Sequence, residues 1–255
     1  MDMQGEDGLA VRVKVASPSP LDPRYEISII EADEKSAKDV VFDGNGPVNT
    51  ITGASPTYMS FDVTVTGRGA HAGVEPEKGL SAIRIASEII SDLPDGRLDE
   101  ETTFNVGLIT GGTVRNAVPV EATFGGEWRS RNTETVDLLR MQVMASLQKA
   151  REKYHEAVIN EEIQMLFQMY NLDPNEPVVR LVTTLLKDQR LEPDIKPSGG
   201  GTDANAMRLN GIDCVVVGMS TNEMHTVNEH VVVPDLMATA RFCQSLMTPN
   251  QPARA

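Results

Sequence analysis

Between residues 58 and 169 the hydrophobic period switches repeatedly between that of a strand and that of a helix, and the order of the switches leaves few topologies open. Residues 58–66 alternate Phe61, Val63 and Val65 with Asp62, Thr64 and Thr66, the pattern of a strand with one wet face. Residues 80–93 place Ile83, Ile85, Ala86, Ile89, Ile90 and Leu93 at helical intervals. A second strand is predicted at 103–110, closed by Gly111-Gly112, and a third at 118–128. A long helix follows at 133–154, with Val136, Leu139, Val143, Met144 and Leu147 as its apolar stripe. A fourth strand is predicted at 157–169. The order β-α-β-β-α-β is the ferredoxin-like split βαβ unit, complete as a small domain.

The flanking segments read as pieces of a different domain. Residues 1–10 show no period and are expected to fray. Residues 11–15 alternate apolar and basic as a short strand does. Three prolines deny 17–23 both helix and central strand. Val40-Val41-Phe42 is a short buried strand running into the turn cluster Asp43-Gly44-Asn45-Gly46-Pro47. On the far side, 177–187 is helical, and Ser198-Gly199-Gly200-Gly201 is a loop leading into a helix at 202–209. Residues 214–217 form an apolar strand of the kind buried in a parallel sheet. A last helix is expected at 234–246, with Pro at its first position. The reading is an α/β domain split between 1–56 and 171–255, with 57–170 inserted.

Composition narrows the partners. Acidic residues outnumber basic ones 37 to 23, a formal charge of −14. That balance disfavours nucleic acid and anionic membrane surfaces, both of which need clustered Lys and Arg. No apolar run approaches the roughly 20 residues of a membrane-spanning helix. The acidic start is unlike a signal peptide. Two cysteines, Cys214 and Cys243, do not make a disulfide framework. These features point to the cytoplasm.

Several residues are placed to carry chemistry, each with a plainer alternative. His225 follows the apolar strand, where α/β proteins gather ligands. A metal-ligand role suits it, and so does a solvated loop. Asp43, at a strand end, suits a metal ligand or an Asx-turn. His71, among Gly67, Gly69, Ala70, Ala72 and Gly73, is open to close approach by a ligand and suits donation to an oxyanion. It also reads as a turn histidine. Arg129 offers a carboxylate fork or a surface ion pair. The 198–202 loop presents backbone N–H groups at a helix start, and Asp203 reads as the cap of that helix. His155 and His230 read as exposed.

Six stretches, in order, resemble one family. They are Phe42-Asp43-Gly44-Asn45-Gly46-Pro47-Val48, Gly69-Ala70-His71-Ala72-Gly73-Val74-Glu75-Pro76-Glu77-Lys78-Gly79, Gly111-Gly112-Thr113-Val114-Arg115-Asn116-Ala117-Val118-Pro119, Glu127-Trp128-Arg129-Ser130, Ser198-Gly199-Gly200-Gly201-Thr202-Asp203-Ala204-Asn205 and His225-Thr226-Val227-Asn228-Glu229. The chain is similar to the di-zinc metallopeptidases that include peptidase T, the aminoacylases and succinyl-diaminopimelate desuccinylase, and most similar to the peptidase-T-like branch. The resemblance implies an α/β fold: a phosphorylase/hydrolase-like catalytic domain, incomplete here, with an inserted ferredoxin-like (βαββαβ) lid and dimerisation domain. It implies hydrolysis of a peptide or acyl-amino-acid amide bond, as by a tripeptide aminopeptidase, with two zinc ions per site. Asp43 then matches the carboxylate ligand of one zinc and His225 the histidine ligand of the other. His71 matches a lid histidine that reaches the substrate carbonyl from the same or a partner subunit. Asn116 and Arg129 match residues holding the substrate backbone or carboxylate. Gly199, Gly200, Gly201 and Thr202 match a wall of the substrate site. A homodimer through the lid is implied.

The chain also departs from that pattern. A family member begins with a long segment that is absent here, carrying a His-x-Asp ligand pair and a bridging Asp. A Glu-Glu pair supplying the general base and a further ligand is expected shortly before Asp43, where this chain has residues 17–23 with Asp22 the lone carboxylate. The expectation is a chain inactive on its own, or alternatively a non-catalytic dimerisation module or gene fragment.

Overall fold

The computed structural model describes the backbone of residues 3–4, 10–11, 13–16, 26–29 and 39, and residues 40–224 and 226–247 in full. The chain forms two compact units, residues 56–169 and residues 1–55 with 170–255. The expected frayed end and the 17–23 loop lie largely or wholly outside the described residues. Short strands occur at Ala10–Val11 and Val13–Ala16. Strands β1 (Asp39–Gly44) and β2 (Thr50–Ser55) then begin the discontinuous unit.

The inserted unit runs β3 (Thr57–Thr66), α1 (Ala82–Asp92), β4 (Thr102–Gly111), β5 (Glu121–Ser130), α2 (Thr133–Lys153) and β6 (Val158–Phe167). Its sheet is antiparallel with order β6-β3-β5-β4, the ferredoxin-like arrangement, and Gly96–Arg97 adds a short piece outside β4. Met59, Phe61, Val63 and Val65 alternate inward from β3 and meet Ile85, Ala86 and Ile89 of α1 and Val136, Leu139, Val143 and Leu147 of α2 in one core. The few aromatic residues are concentrated here. Phe104 stacks on Trp128 with centroids 5.9 Å apart, Phe61 touches both, and the buried Trp128 indole N–H donates to Val136 O at 3.2 Å. The β5 ladder shifts register between Gly125 and Gly126. A Cβ on Gly126 would stand 2.4 Å from Asn105 O and 2.5 Å from Phe61 Cζ, so only glycine fits under that ring.

Two details differ from the sequence expectation. The third strand starts at Glu121 rather than 118, because Val118-Pro119-Val120 pairs with the loop after β3: Val118 N–H donates to Ala70 O and Val120 O accepts from Gly67 N–H. In α2, Met144 stands at the rim of the stripe, 37% exposed, while Ala150 is buried in line with Leu147.

The discontinuous unit continues with β7 (Tyr170–Asn171), α3 (Pro177–Asp188), β8 (Asp194–Pro197), α4 (Asp203–Leu209), β9 (Cys214–Gly218), the short pair β10 (Thr221–Asn222) and β11 (His230–Val231), and α5 (Val233–Met247). The sheet order is β7-β2-β9-β1, with β8 also on β2. It is mixed: β9 lies parallel to β1 and antiparallel to β2. Every residue of β9 is buried, as an apolar strand covered on both faces must be. The aliphatic face of α3 (Val178, Val179, Val182, Leu185, Leu186) packs with Val40, Val41, Ile51 and Phe242. Pro234 occupies the second helical position, since α5 begins at Val233. Among the described residues no helix is long and apolar enough to cross a membrane.

Candidate functional site

In the discontinuous unit the predicted residues gather at the end of β1. The Asp203 backbone N–H donates to Asp43 Oδ2 at 3.1 Å. That N–H belongs to the first turn of α4, which has no intrahelical acceptor for it. The Asp43 carboxylate therefore links the strand to the loop carrying Gly199, Gly200, Gly201 and Thr202. Thr202, not Asp203, is the N-cap: its backbone N–H donates to Asn205 Oδ1 at 2.8 Å, the reciprocal half of a capping box. Ser55 Oγ, fully buried at the end of β2, lies 2.9 Å from Asn205 Oδ1 and 3.0 Å from Gly200 O, with one proton to share between them. Ser198 N–H donates to Ala54 O at 2.8 Å, and Gly200 N–H to Ser198 Oγ at 3.0 Å. The loop is thus fixed from beneath. Its outer side is open, for a Cβ on Gly199 would meet nothing within 4 Å. The Tyr170 hydroxyl stands 3.4 Å from Thr202 Oγ1, and burial pushes its pKa up to about 12, so it stays protonated at neutral pH.

Asn205, Ser55 and Tyr170 were not singled out from the sequence. Asn205 had a legible signal, the Thr202-x-x-Asn205 spacing of a capping box. Ser55 and Tyr170 reach the loop only through the sheet.

In the inserted unit His71 and Asn116 come together. His71 forms an isolated bridge with Ala117, Ala72 N–H donates to Asn116 O at 3.0 Å, and Val118 N–H to Ala70 O at 2.9 Å. Both residues are exposed. Gly73 N–H donates to His71 Nδ1 at 3.2 Å. A ring nitrogen that accepts carries no proton, so neutral His71 presents Nε2–H outward. Beside this pair runs a groove of about 400 Å³ lined by Gly69, Gly111, Val114, Ala117 and Val118 among others.

Arg129 stands apart from that pair. It pairs with Tyr58 in the β3–β5 register, whereas the His71 and Asn116 loops leave from the Thr66–Glu121 end of the same ladder. Eight residues of strand separate the ends, about 26 Å at the usual rise. The Arg129 guanidinium lies 4.3 Å from the Tyr58 ring centre and donates to both Glu127 carboxylate oxygens, at 3.1 and 2.9 Å. Burial works to raise the Glu127 pKa, but the hydrogen bonds from Arg129 and Tyr58 outweigh it and hold the carboxyl below its ordinary range. The same Glu127 bond raises the Tyr58 phenol.

His225 lies outside the described residues. The strands on either side pair with each other, Asn222 with His230, and His230 is exposed with Nδ1 2.8 Å from Asn228 O. His155 is exposed as well. The donors described do not compose a metal centre: among the described residues no three His, Cys, Asp or Glu side chains come together to hold an ion. A closed zinc site needs about four such donors and a catalytic one about three.

Residues 54–155 match the peptidase dimerisation domain. The chain is 34% identical over 211 residues to the uncharacterised protein YqjE of Bacillus subtilis, covering 80% of this chain and 55% of that protein. It is 24% identical over 218 residues to peptidase T of Streptococcus agalactiae, covering 80% and 51%. Among solved structures it superposes on the aminopeptidase PepT of Bacillus cereus with a TM-score of 0.73 at 31% identity, covering 82% of this chain and 56% of that one. The chain spans about half the length of the curated relatives it matches.

Proposed function

Given that this chain is a peptidase-T-like member of the peptidase family that carries the dimerisation domain, we propose that it serves the hydrolysis of a peptide or acyl-amino-acid amide bond and that its inserted unit is the lid. His71 Nε2–H donates to the substrate carbonyl and steadies the negative charge that develops there as a nucleophile adds. Asn116, on the facing loop, holds the substrate backbone. Arg129, at the other end of the ladder, lies too far from His71 and Asn116 of its own subunit to hold the same substrate. It therefore takes a substrate carboxylate, in competition with Glu127, at a site to which a partner subunit brings that pair. The Gly199–Thr202 loop walls the site, and Asp43 and His225 are the zinc ligands this chain contributes. Among the described residues no cluster adds donors to those two, which are too few for a two-zinc centre, and on this reading the chain does not turn over substrate by itself.

The lid also serves as the homodimer interface. Beyond Phe104, β4 pairs with β5 alone among the described residues. The stretch from Thr102 to Thr113 carries no charge and exposes Leu108 and Ile109. An uncharged, half-paired edge of this kind invites a second strand. The charged β6 edge, with Glu161 and Glu162, does not.

The observation that carries the reading is the pairing of the His71 and Asn116 loops with the His71 ring oriented by Gly73 N–H. The test is tripeptide and N-acyl-amino-acid hydrolysis by the purified chain with added zinc, with metal content per chain measured in parallel. We expect a dimer by light scattering and no turnover. Turnover with about two zinc ions per chain, lost in His225→Ala, would overturn the incompetence of the chain and point to ligands supplied by other residues. A non-catalytic dimerisation module is the second reading, favoured by the match of residues 54–155 to the peptidase dimerisation domain.

A further inference from the structure

The loop that carries His71 is closed at its own neck. Residues 67–81 lead from β3 to α1, and no side chain among them is buried. The conformation of this loop therefore rests on hydrogen bonds rather than on a core. Its two ends meet as a short antiparallel bridge, in which Arg68 N–H donates to Leu80 O at 2.9 Å and Leu80 N–H to Arg68 O at 2.7 Å. On the other side, Gly67 N–H donates to Val120 O at 2.7 Å. The approach is close enough to require glycine: a Cβ on Gly67 would stand 2.0 Å from Leu80 O, and one on Gly79 2.7 Å from a Val118 methyl.

Arg68 adds its side chain to that neck. Its Nε–H donates to Lys78 O at 2.7 Å, and its guanidinium pairs with Glu156, in the segment between α2 and β6. One side chain thus joins the start of the loop, its end and the chain leaving α2. Inside the neck, Val74 N–H and Glu75 N–H donate to His71 O at 3.2 and 3.1 Å, and Gly73 N–H to His71 Nδ1. The bonds that orient the ring therefore lie within the segment that Arg68 closes. Both partners of the ion pair are more than half exposed, and such a pair contributes little to global stability. Its effect is local, on a loop with no buried side chain to hold it.

We propose that Arg68 is a positioning residue for His71: by bonding Lys78 O and Glu156 at once, it fastens the neck of the 69–79 loop and fixes where the His71 ring points. This rests on the reading of His71 as the group that meets the substrate carbonyl. The planar guanidinium reaches two acceptors in different directions, which the ammonium of a lysine does not hold together.

Amide hydrogen exchange and histidine nitrogen NMR on the full chain test this, and neither needs turnover. In Arg68→Ala the amides of Gly73, Val74 and Glu75 should exchange at least about tenfold faster than in wild type. Amides of β3, α1 and α2 should not change, and the thermal midpoint should stay near wild type. The His71 ring nitrogens should shift toward those of a solvent-averaged imidazole as the Gly73 bond to Nδ1 loosens. Arg68→Lys should fall between wild type and Arg68→Ala. Glu156→Gln should loosen the loop in the same direction by less, since the bond to Lys78 O remains. Loop exchange and His71 signals identical in wild type and Arg68→Ala overturn the proposal. So does faster exchange throughout the inserted unit, which would make Arg68 a general stabiliser. A loosened loop with unchanged His71 signals overturns it too, because something other than the neck would then hold the ring. In an assembly that hydrolyses peptide, Arg68→Ala should lower kcat with KM little changed. An unchanged kcat beside a loosened His71 counts against the oxyanion role of His71 and supports the clamp alone, so the two readings fail separately.

Discussion

The backbone N–H of Asp203 and the carboxylate of Asp43, 160 positions apart in the chain, meet at 3.1 Å. The bond ties the start of α4 to the end of β1 and supplies an acceptor to an N–H that the helix cannot satisfy. A negative group at a helix start is also favoured by the aligned peptide dipoles. Asp43→Ala should therefore lower stability by about 1–2 kcal/mol in urea unfolding without any metal present. Asp43→Asn keeps an oxygen acceptor and should recover most of that loss. Equal stability of wild type and the alanine variant would show that the bond contributes nothing and that Asp43 has no structural role.

The glycines of the 198–202 loop and of β5 invite opposite predictions. Gly199 faces open space, whereas Gly126 is pressed against Asn105 O and the Phe61 ring. Gly199→Ala should leave the unfolding free energy within about 0.5 kcal/mol of wild type. Gly126→Ala should cost about 3 kcal/mol or more, because the obstruction is partly backbone and overpacking has no flexible outlet. If Gly199→Ala is as costly as Gly126→Ala, the loop's outer side is not free. If it is silent for stability yet impairs binding of a peptide ligand, the open side is where the ligand lies.

Much of this architecture was legible beforehand, and the exceptions have physical causes. The β-α-β-β-α-β order followed from apolar spacing alone, because each element of the inserted unit buries one face. Strand β2 was not anticipated: Thr50, Thr52 and Ser55 are buried polar residues, so Thr50-Ile51-Thr52-Gly53-Ala54-Ser55 shows no alternation to read. The cap of α4 was assigned one residue late, because Asp203 is a good cap in isolation and only the tertiary bond to Asp43 gives it another task. The meeting of His71 with Asn116 depends on β3 and β5 lying in register with Thr66 opposite Glu121. No local pattern around either residue encodes that register.

The Tyr58, Glu127 and Arg129 cluster makes stability depend on pH. Glu127 is held below its ordinary pKa in the folded chain. Its contribution is therefore present above the unfolded carboxyl value, about 4.3, and is lost as pH falls through the lower folded value. Urea midpoints measured downward from pH 7 should fall in that acidic window, and Glu127→Gln should flatten part of the fall. The cluster is half-buried, so solvent screening keeps the effect modest. An unchanged acid profile in Glu127→Gln would mean that the bonds to Arg129 and Tyr58 do not bias Glu127 ionisation.

His71 supplies the most direct test of the lid chemistry. Gly73 N–H approaches Nδ1 at 3.2 Å, so the neutral ring should hold its proton on Nε2. That nitrogen is the one left to reach a substrate oxygen. Nitrogen NMR of histidine-labelled protein, taken where the ring is neutral, should show an acceptor-type Nδ1 and a protonated Nε2 for His71. The reversed tautomer would leave Nε2 as an acceptor, unable to steady an oxyanion, and would remove the basis for its assigned role. With the expected tautomer, His71→Gln, whose side-chain amide also donates, should retain more activity than His71→Ala in any assembly that hydrolyses peptide. Equal loss in both would assign the imidazole a part beyond donating one hydrogen bond.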